Sequence, residues 1–224
     1  MDVREDEKRA AARAASLLAE EGMAIGLGSG TTVAHFLPAL AARGFTAIRC
    51  IATSVATEEA ARALGLPVQA FDLLDHLDLT VDGADQIAPD LWVVKGRGGA
   101  HTREKVAAAA SDRFVVIAST EKLVPAIGPP IPVEVLRFGL RATLGHLGRL
   151  APATVREAPP TPDGNVVVDL EGPVDDPFDL ARRLESIPGV VGHGLFPPEL
   201  TSEALVGHPD GSVQRIERGI VLDP

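Results

Sequence analysis

The 224-residue sequence predicts an α/β protein, with a parallel-sheet domain joined to a smaller α+β domain of split βαβ type. Three observations predict this. Strand and helix signals alternate over the first 120 residues. Apolar runs such as MAIGLG and FVVIA lack the polar alternation of a one-sided strand, which marks strands buried on both faces. The texture then changes after Lys122, where PAIGPPIPVE places four prolines in residues 125–134 and reads as a crossing between domains.

The elements follow in order. Charged residues and apolar residues at helical spacing predict a helix over 4–21, leading to a strand at 23–28. A helix from about Thr32 contains Pro38, which predicts a kink or a break. A strand at 47–52 and a helix at 57–65 come next. Strands at 77–82 and 91–94, the helix TREKVAAAAS and a strand at 113–119 complete the first region. Beyond the prolines, a helix over 137–149, the strand NVVVDLEG, a helix over 177–187 and a strand around VVGHGLF give the split βαβ order. The tail reads as a hairpin turning at Pro209, Asp210 and Gly211. The expected division is 1–128 with about 200–224 for the larger domain, and about 129–199 for the smaller.

Composition narrows the function. Hydrophobic residues make up 46%, enough for a full core, so disorder is excluded as the main state. A formal charge of −10 argues against a general nucleic-acid or acidic-membrane binder, since phosphate backbones call for cationic faces. One cysteine excludes a disulfide framework or a Cys-rich metal site; Cys50, in an apolar strand, reads as a buried small side chain. No run of 18 apolar residues suggests a membrane span. The N-terminus lacks the basic-then-apolar layout of a signal peptide, so the expected location is the cytoplasm. Only four of the 21 basic residues are lysines: Lys8, Lys95, Lys105 and Lys122.

Four segments carry chemistry. Gly26-Leu27-Gly28-Ser29-Gly30-Thr31-Thr32 closes a strand and opens a helix, where glycines admit an anion and free N–H groups face it. Ser29, Thr31 and Thr32 add hydroxyls suited to phosphate. The loop lacks the third glycine of a dinucleotide fingerprint and the Lys-Ser/Thr ending of a triphosphate loop. A tight turn with a capping Ser or Thr is the plainer reading. Asp82-Gly83-Ala84-Asp85 sits at a second strand end, where paired carboxylates hold sugar hydroxyls, relay protons or bind a divalent cation. An Asp-Gly turn is again the alternative.

Lys95-Gly96-Arg97-Gly98-Gly99-Ala100 follows the LWVV strand at 91–94 and leads into His101-Thr102-Arg103-Glu104-Lys105. One lysine in a glycine loop places a cation beside an oxyanion, and Glu104 in a closed pocket suits a general base. Helix-dipole complementation is the bland alternative for Glu104, with Lys105 as ordinary solvent charge. Lys122 ends a further strand and is a candidate phosphate partner. Residues 95–122 hold six bases and three acids, a window of +3 that suggests a locally positive mouth. The acidic stretch from Glu157 to Asp179 reads as a solvated face. The histidines show no metal spacing, and His101 at a helix start is expected to face solvent.

Together, GLGSGTT, ATSVAT, VDGADQI, VVKGRGGAHTREK, FVVIASTEKLV, PIPVEV and IPGVVGHGLF run in the order of the type A ribose-5-phosphate isomerases, which the chain resembles over nearly its whole length. The resemblance implies a three-layer Rossmann-like parallel-sheet domain with a smaller α+β (ferredoxin-like) domain. It implies reversible conversion of ribose 5-phosphate to ribulose 5-phosphate, without metal or organic cofactor, by homodimers or homotetramers. By position, Glu104 matches the family's base. Ser29 to Thr32 (with Gly30 and Thr31 between), Asp82 to Asp85 (with Gly83 and Ala84) and Lys95 to Gly98 (with Gly96 and Arg97) match its substrate loops, as Lys122 matches a further contact.

Lys95 would hold an enediolate oxygen, and Asp82, with Asp85, would shuttle hydroxyl protons. Lys8 also matches a family position but reads more simply as an exposed helix-start lysine. Gln86, Arg97, His101 and Thr102 depart from the family's usual residues. Two alternatives are a non-catalytic sugar-phosphate sensor domain, which normally carries a DNA-binding helix-turn-helix, and an isomerase or deaminase for another sugar phosphate.

Overall fold

The computed structural model describes residues 3–217 and the backbone of 220–222. Helix α1 (Val3–Ser16) precedes β1 (Ala24–Leu27), α2 (Val33–Ala41), β2 (Arg49–Ala52), α3 (Val55–Ala63) and β3 (Leu77–Gly83). Two short strands, β4 (Gln86–Ile87) and β5 (Val93–Val94), lead to α4 (His101–Ala109) and β6 (Ser111–Ser119). The next stretch holds β7 (Ile131–Val135), α5 (Leu140–Leu147), β8 (Ala153–Val155), β9 (Val166–Leu170), α6 (Pro177–Glu185) and β10 (Val190–His193). Strands β11 (Leu195–Phe196), β12 (Glu203–Gly207), β13 (Val213–Glu217) and β14 (Ile220–Leu222) close the chain.

The main sheet has seven strands in the order β14-β13-β12-β6-β3-β1-β2, parallel from β12 through β2. Its central strands β1, β3, β6 and β12 are buried on both faces along most of their length, as their apolar runs require. On β6, Val115 and Ile117 join the core formed with α1 and α2, while Phe114, Val116 and Ala118 face the core on the other side. That alternation yields three layers. From β1 the chain adds β2 on one side and then β3 on the other, so the order reverses between β1 and β3. Open α/β sheets bind ligands beyond the strand ends at such a switch point.

The second sheet is antiparallel with order β10-β7-β9-β8. With α5 and α6 it forms βαββαβ, the ferredoxin-like arrangement. Strand β8 has no counterpart in the sequence reading, because it is three residues long and largely exposed, with no alternation to mark it. The hairpin β12–β13 forms around the expected turn at 209–211. Residues 218, 219, 223 and 224 of the expected second segment of the larger domain lie outside the described residues.

Four expectations are corrected. Helix α1 stops at Ser16, where Ser16 Oγ turns back to the Arg13 carbonyl, and does not reach 21. Helix α2 is not broken at Pro38; it runs through to Ala41, losing only the bond a donor at 38 would make to Ala34. The strand expected at 91–94 lies outside the parallel sheet. It begins only at Val93, because Leu91 adopts φ 66° in a turn, and it pairs antiparallel with β4 and β11. The strand expected around VVGHGLF is divided by Gly194 between two sheets. A Cβ on Gly194 would lie 2.0 Å from the Lys95 carbonyl oxygen. Its N–H donates to Pro132 O at 2.7 Å, while its carbonyl accepts from Lys95 N at 2.9 Å.

Candidate active site

The C-terminal ends of β1, β3 and β6 open onto one cleft of about 310 Å³. The loop after β1 is held from below. Thr57 Oγ1 donates to Gly28 O at 2.8 Å, and Thr53 N donates to Leu27 O at 3.0 Å, which gives the ATSVAT segment its part in the site. Gly28 is required by contact: a Cβ there would stand 2.0 Å from the Asp82 carboxyl carbon. The anion this glycine loop approaches is therefore a side chain of its own protein. Ser29 N–H and Gly83 N–H donate to Asp82 Oδ1 at 2.9 and 2.7 Å. Thr32 occupies the N-cap of α2 without a side-chain capping bond, so the simple capping reading fails and its hydroxyl is left for the cleft.

Three charges meet at the base of the cleft. Lys95 Nζ lies 3.1 Å from Asp82 Oδ2 and 3.2 Å from Glu104 Oε2, and also donates to the Gly83 carbonyl. Ser29 Oγ donates to Glu104 Oε1 at 2.6 Å, fixing that carboxylate from the opposite side. All three charged side chains are buried. Burial alone would discharge the lysine. Two carboxylates at this range each supply on the order of 5 kcal/mol at an effective dielectric of about 20, and together they hold the Lys95 ammonium above its ordinary value. Two carboxylates with one cation leave an excess negative charge. Burial, with Glu104 adding to it, pushes Asp82 up to about 7, against the opposing pull of Lys95.

The structure brings every nominated residue to the cleft lining except Asp82. Ser29, Gly30, Thr31 and Thr32 come from the first loop, and Gly83, Ala84 and Asp85 from the second. Lys95, Gly96, Arg97 and Gly98 come from the third, with Glu104 from α4 and Lys122 from the turn after β6. Asp82 is fully enclosed beneath this floor, so its path to a ligand runs through Lys95. Asp85 does line the cleft and accepts from Arg97 N at 2.9 Å. The Arg97 side chain is 79% exposed at the rim. Gln86 is spent elsewhere, exchanging two hydrogen bonds with the backbone of Gly128.

Other expectations fall to long-range pairing. The +3 window does not converge on the mouth, because Arg103 pairs with Asp163 and Arg113 with Glu203. Asp163 and Asp169, the latter bound to Arg156, correspondingly leave the acidic stretch less than a free solvated face. His101 does not face solvent; it is fully buried, and neither ring nitrogen has a hydrogen-bond partner among the described residues. Burial brings it down to about 4, which keeps the ring neutral. Its Nδ1 lies where a Cβ on Gly96 would come within 2.7 Å, and Gly96 itself takes φ +113°. Lys105 is not ordinary solvent charge but half-buried against His193. Lys8 is 14% exposed and paired with Glu5 at 2.7 Å, outside the cleft lining.

Sequence reasoning missed Arg156. Its Nη1 donates to the carbonyls of Gly96 at 2.7 Å and Arg97 at 3.0 Å, while its Nε donates to Asp169 Oδ2 at 2.8 Å. A side chain of the four-stranded sheet's region thus grips the glycine loop of the cleft from sixty residues away. The one grouping of three metal-ligand types among the described residues, His76, Asp78 and Asp112, is remote from this cleft; Asp78 already accepts from Ala24 N, and His76 and Asp112 bond each other.

The family model for ribose 5-phosphate isomerase A (phosphoriboisomerase A) matches residues 49–211. The chain is 47% identical over 222 residues to the Ribose-5-phosphate isomerase A of Caulobacter vibrioides, a match covering 94% of this chain and 97% of that one. It belongs to the ribose 5-phosphate isomerase A family. Among solved structures, ribose 5 phosphate isomerase A from Neisseria gonorrhoeae superimposes with a TM-score of 0.92 at 30% identity, covering 96% of this chain and 97% of that chain. A D-ribose-5-phosphate isomerase in complex with phospho-erythronic acid gives 0.90 at 33% identity, covering 96% and 99%. In this member of the family, Lys95 joins Asp82 and Glu104 at the base of the cleft, with Arg97 at its rim.

Proposed function

We propose that this protein interconverts ribose 5-phosphate and ribulose 5-phosphate by moving one proton between carbon 2 and carbon 1, with Glu104 as the base. The observation that carries this reading is the buried contact of 3.2 Å between Glu104 and Lys95 at the base of a cleft walled by hydroxyls and backbone amides. An aldose–ketose exchange needs one group that takes and returns a proton and one cation for the enediolate oxygen. Glu104 and Lys95 are that pair. Ser29 on Oε1 and Lys95 beside Oε2 hold the Glu104 carboxylate in place as the base.

Lys95 holds the charge that develops on the sugar oxygen. Asp82 is a positioning residue for Lys95, and its raised affinity for a proton limits the net charge under the substrate. Asp85, which lines the cleft, takes the hydroxyl proton that ring opening moves. Thr31, Thr32, Arg97 and Lys122 are the lining side chains left for the hydroxyls and the phosphate, with the backbone of Gly30, Gly83, Ala84, Gly96 and Gly98.

The test is ribose 5-phosphate turnover in excess EDTA for the wild type and Glu104→Gln. Wild-type turnover that survives chelation, and a loss of about 10²–10⁴-fold in kcat for the variant, are expected. A folded wild type that forms no ribulose 5-phosphate overturns the reading, and near-normal turnover by the variant removes Glu104 from the base role.

The same reading extends to assembly and location. Phe138, 91% exposed, is the kind of apolar side chain an intersubunit contact covers, which supports a homodimer or homotetramer; sedimentation equilibrium reads it directly. No described helix is long and apolar enough to cross a membrane, and a single buried cysteine suits a reducing compartment, which supports the cytoplasm as its site of action. The division into 1–128 with about 200–224, and about 129–199, is supported by a four-stranded sheet drawn only from residues 131–193.

A further inference from the structure

A second cavity, of about 510 Å³, shares no lining residue with the isomerase cleft. Trp92, Phe178, Pro197 and Leu200 give it apolar walls, and the Trp92 and Phe178 rings meet edge-on with centroids 4.7 Å apart. Lys105 of α4 also lines it. Lys8, Lys95 and Lys122 each have a carboxylate at 2.7, 3.1 and 3.4 Å, respectively. Lys105 has none within 4.0 Å among the described residues. Its polar neighbour is an imidazole, with Nζ 3.2 Å from Nδ1 of the buried His193.

The tautomer of His193 follows from its other contacts. Leu195 N–H, which can only donate, points at Nδ1 from 3.3 Å, so Nδ1 is an acceptor. The ring proton therefore sits on Nε2, 3.3 Å from Glu185 Oε1. Carboxylate, imidazole and amine stand in line, the order that activates nucleophiles in other frameworks. The mechanism of the isomerase uses none of the three.

We propose that this cavity is a second reactive site, in which Lys105 adds reversibly to the carbonyl carbon of a small aldehyde bearing an aromatic or branched apolar body. The Nζ lone pair forms the C–N bond as the carbonyl π pair moves onto oxygen. His193 Nδ1, accepting an N–H of the amine, orients the lone pair toward the carbonyl, and both protons of the nitrogen pass in turn through water to that oxygen, which leaves as water when the C=N bond forms. No oxidant or reductant is consumed. The apolar body rests between Trp92 and Phe178, which explains an aromatic pair beside an amine whose polar partner is an imidazole and not a carboxylate.

The addition needs a neutral amine. Burial, opposed by Glu185, brings Lys105 down to about 8, so a usable neutral fraction exists near pH 7.5. The groups around it are His193 from β10, and Asp176 with Asp179, Arg182 and Glu185 on the α6 side. Glu104 and His101 share its helix. Lys95 lies across the Phe196 ring, whose centroid is 5.0 Å from Lys105 Nζ and 5.7 Å from Lys95 Nζ.

The experiment is reductive trapping of the full protein with benzaldehyde and sodium cyanoborohydride, followed by peptide mass mapping of N-benzyl-lysine. At pH 7.5 Lys105 is expected to label at least ~10-fold faster than Lys8, Lys95 or Lys122, with its rate half-maximal near pH 8. His193→Gln is expected to slow labelling of Lys105 and leave the other lysines unchanged. Even labelling of the four lysines, or a Lys105 rate still climbing above pH 10, overturns the proposal. So does a folded His193→Gln protein that labels Lys105 at the wild-type rate; if that variant does not fold, the wild-type comparison decides.

Discussion

Lys95 and Lys105 are ten residues apart and lie against the same aromatic ring, Phe196, yet burial has opposite outcomes for them. Lys95 has carboxylates at 3.1 and 3.2 Å and is held above its ordinary value as a permanent cation. Lys105 has an imidazole at 3.2 Å and falls to about 8. Desolvation is the largest influence on both, and what differs is whether a carboxylate stands close enough to offset it. The glycine-rich loop supplies one answer and the helix behind it supplies the other. One lysine is prepared to meet a negative oxygen, and the other to give up its proton.

Removing the amines one at a time separates their roles most strongly. Lys95→Met is expected to lower kcat by about 10²–10³-fold, the usual cost of losing a preorganised charge at a developing oxyanion. It also leaves Asp82 and Glu104 facing each other without a cation, so the pair retains a proton to higher pH and the alkaline shift appears in the pH dependence of any residual rate. Lys105→Met is expected to leave kcat within a few-fold. Equal losses in the two variants would mean that they serve one site, and the distinction drawn from their carboxylate distances would fail.

A second prediction concerns two histidines near these lysines. His101 and His193 are buried and held at about 4 and about 3, against 6.5 for an unperturbed histidine; burial is the main cause in both, with Lys105 and His101 adding to it at His193. A lowered folded value means that their stabilising contribution is complete above pH 6.5 and is lost as pH falls through 4 toward 3. Asp82 acts with the opposite sign. Its value is raised, so its contribution is complete below 3.8 and is lost as pH rises toward 7. Two groups oppose one, so the melting temperature is expected to fall between pH 6.5 and 4. His101→Leu should flatten that slope by roughly 3 kcal/mol, read as a smaller loss of Tm between pH 7 and 4.5 than in the wild type. An unchanged slope would show that His101 is not buried neutral in solution.

These cases also show what a sequence makes legible. Ser29, Asp85, Lys95 and Lys122 could be found because each lies within a few residues of a strand end, and strand ends follow from local apolar runs; Glu104 could be found because it lies in the first turn of the helix that the glycine loop opens. The ferredoxin-like order was legible for the same reason, though the short, exposed β8 was not. Asp82 was found in sequence but not in depth: nothing local reveals that the glycine loop closes over it and leaves Lys95 as its route to the cleft. His101 and Lys105 misled because a helix start is usually wet, whereas here Gly96 closes on the His101 ring, and His193 and Phe196 stand against Lys105. The reach of Arg156 to the cleft was invisible, since its partners there are the backbone carbonyls of Gly96 and Arg97, some sixty residues earlier, and carbonyls leave no mark in a sequence.

Arg156 supplies the smallest and most selective prediction. Its guanidinium, held by Asp169, donates to the carbonyls of Gly96 and Arg97, so it fixes the path of the loop that carries Lys95 without touching the cleft. Lys95 is separately anchored by β11-side contacts, with its N–H on Gly194 O at 2.9 Å, and its ammonium by Gly83 and the two carboxylates. Losing Arg156 therefore loosens Gly96 to Gly98 more than Lys95 itself. Arg156→Ala is expected to raise KM for ribose 5-phosphate by about 3–10-fold, with kcat falling less, the pattern of lost ground-state binding. Leaving Asp169 without its partner adds a stability cost of about 1–3 kcal/mol, which Asp169→Ala alone would share. The two variants separate the effects: both lower Tm, but only Arg156→Ala removes the donors to the loop and raises KM to the full extent. If kcat falls and KM holds, the loop guides the lysine, and the anchoring of Lys95 by Gly194 and its carboxylates is weaker than the geometry implies.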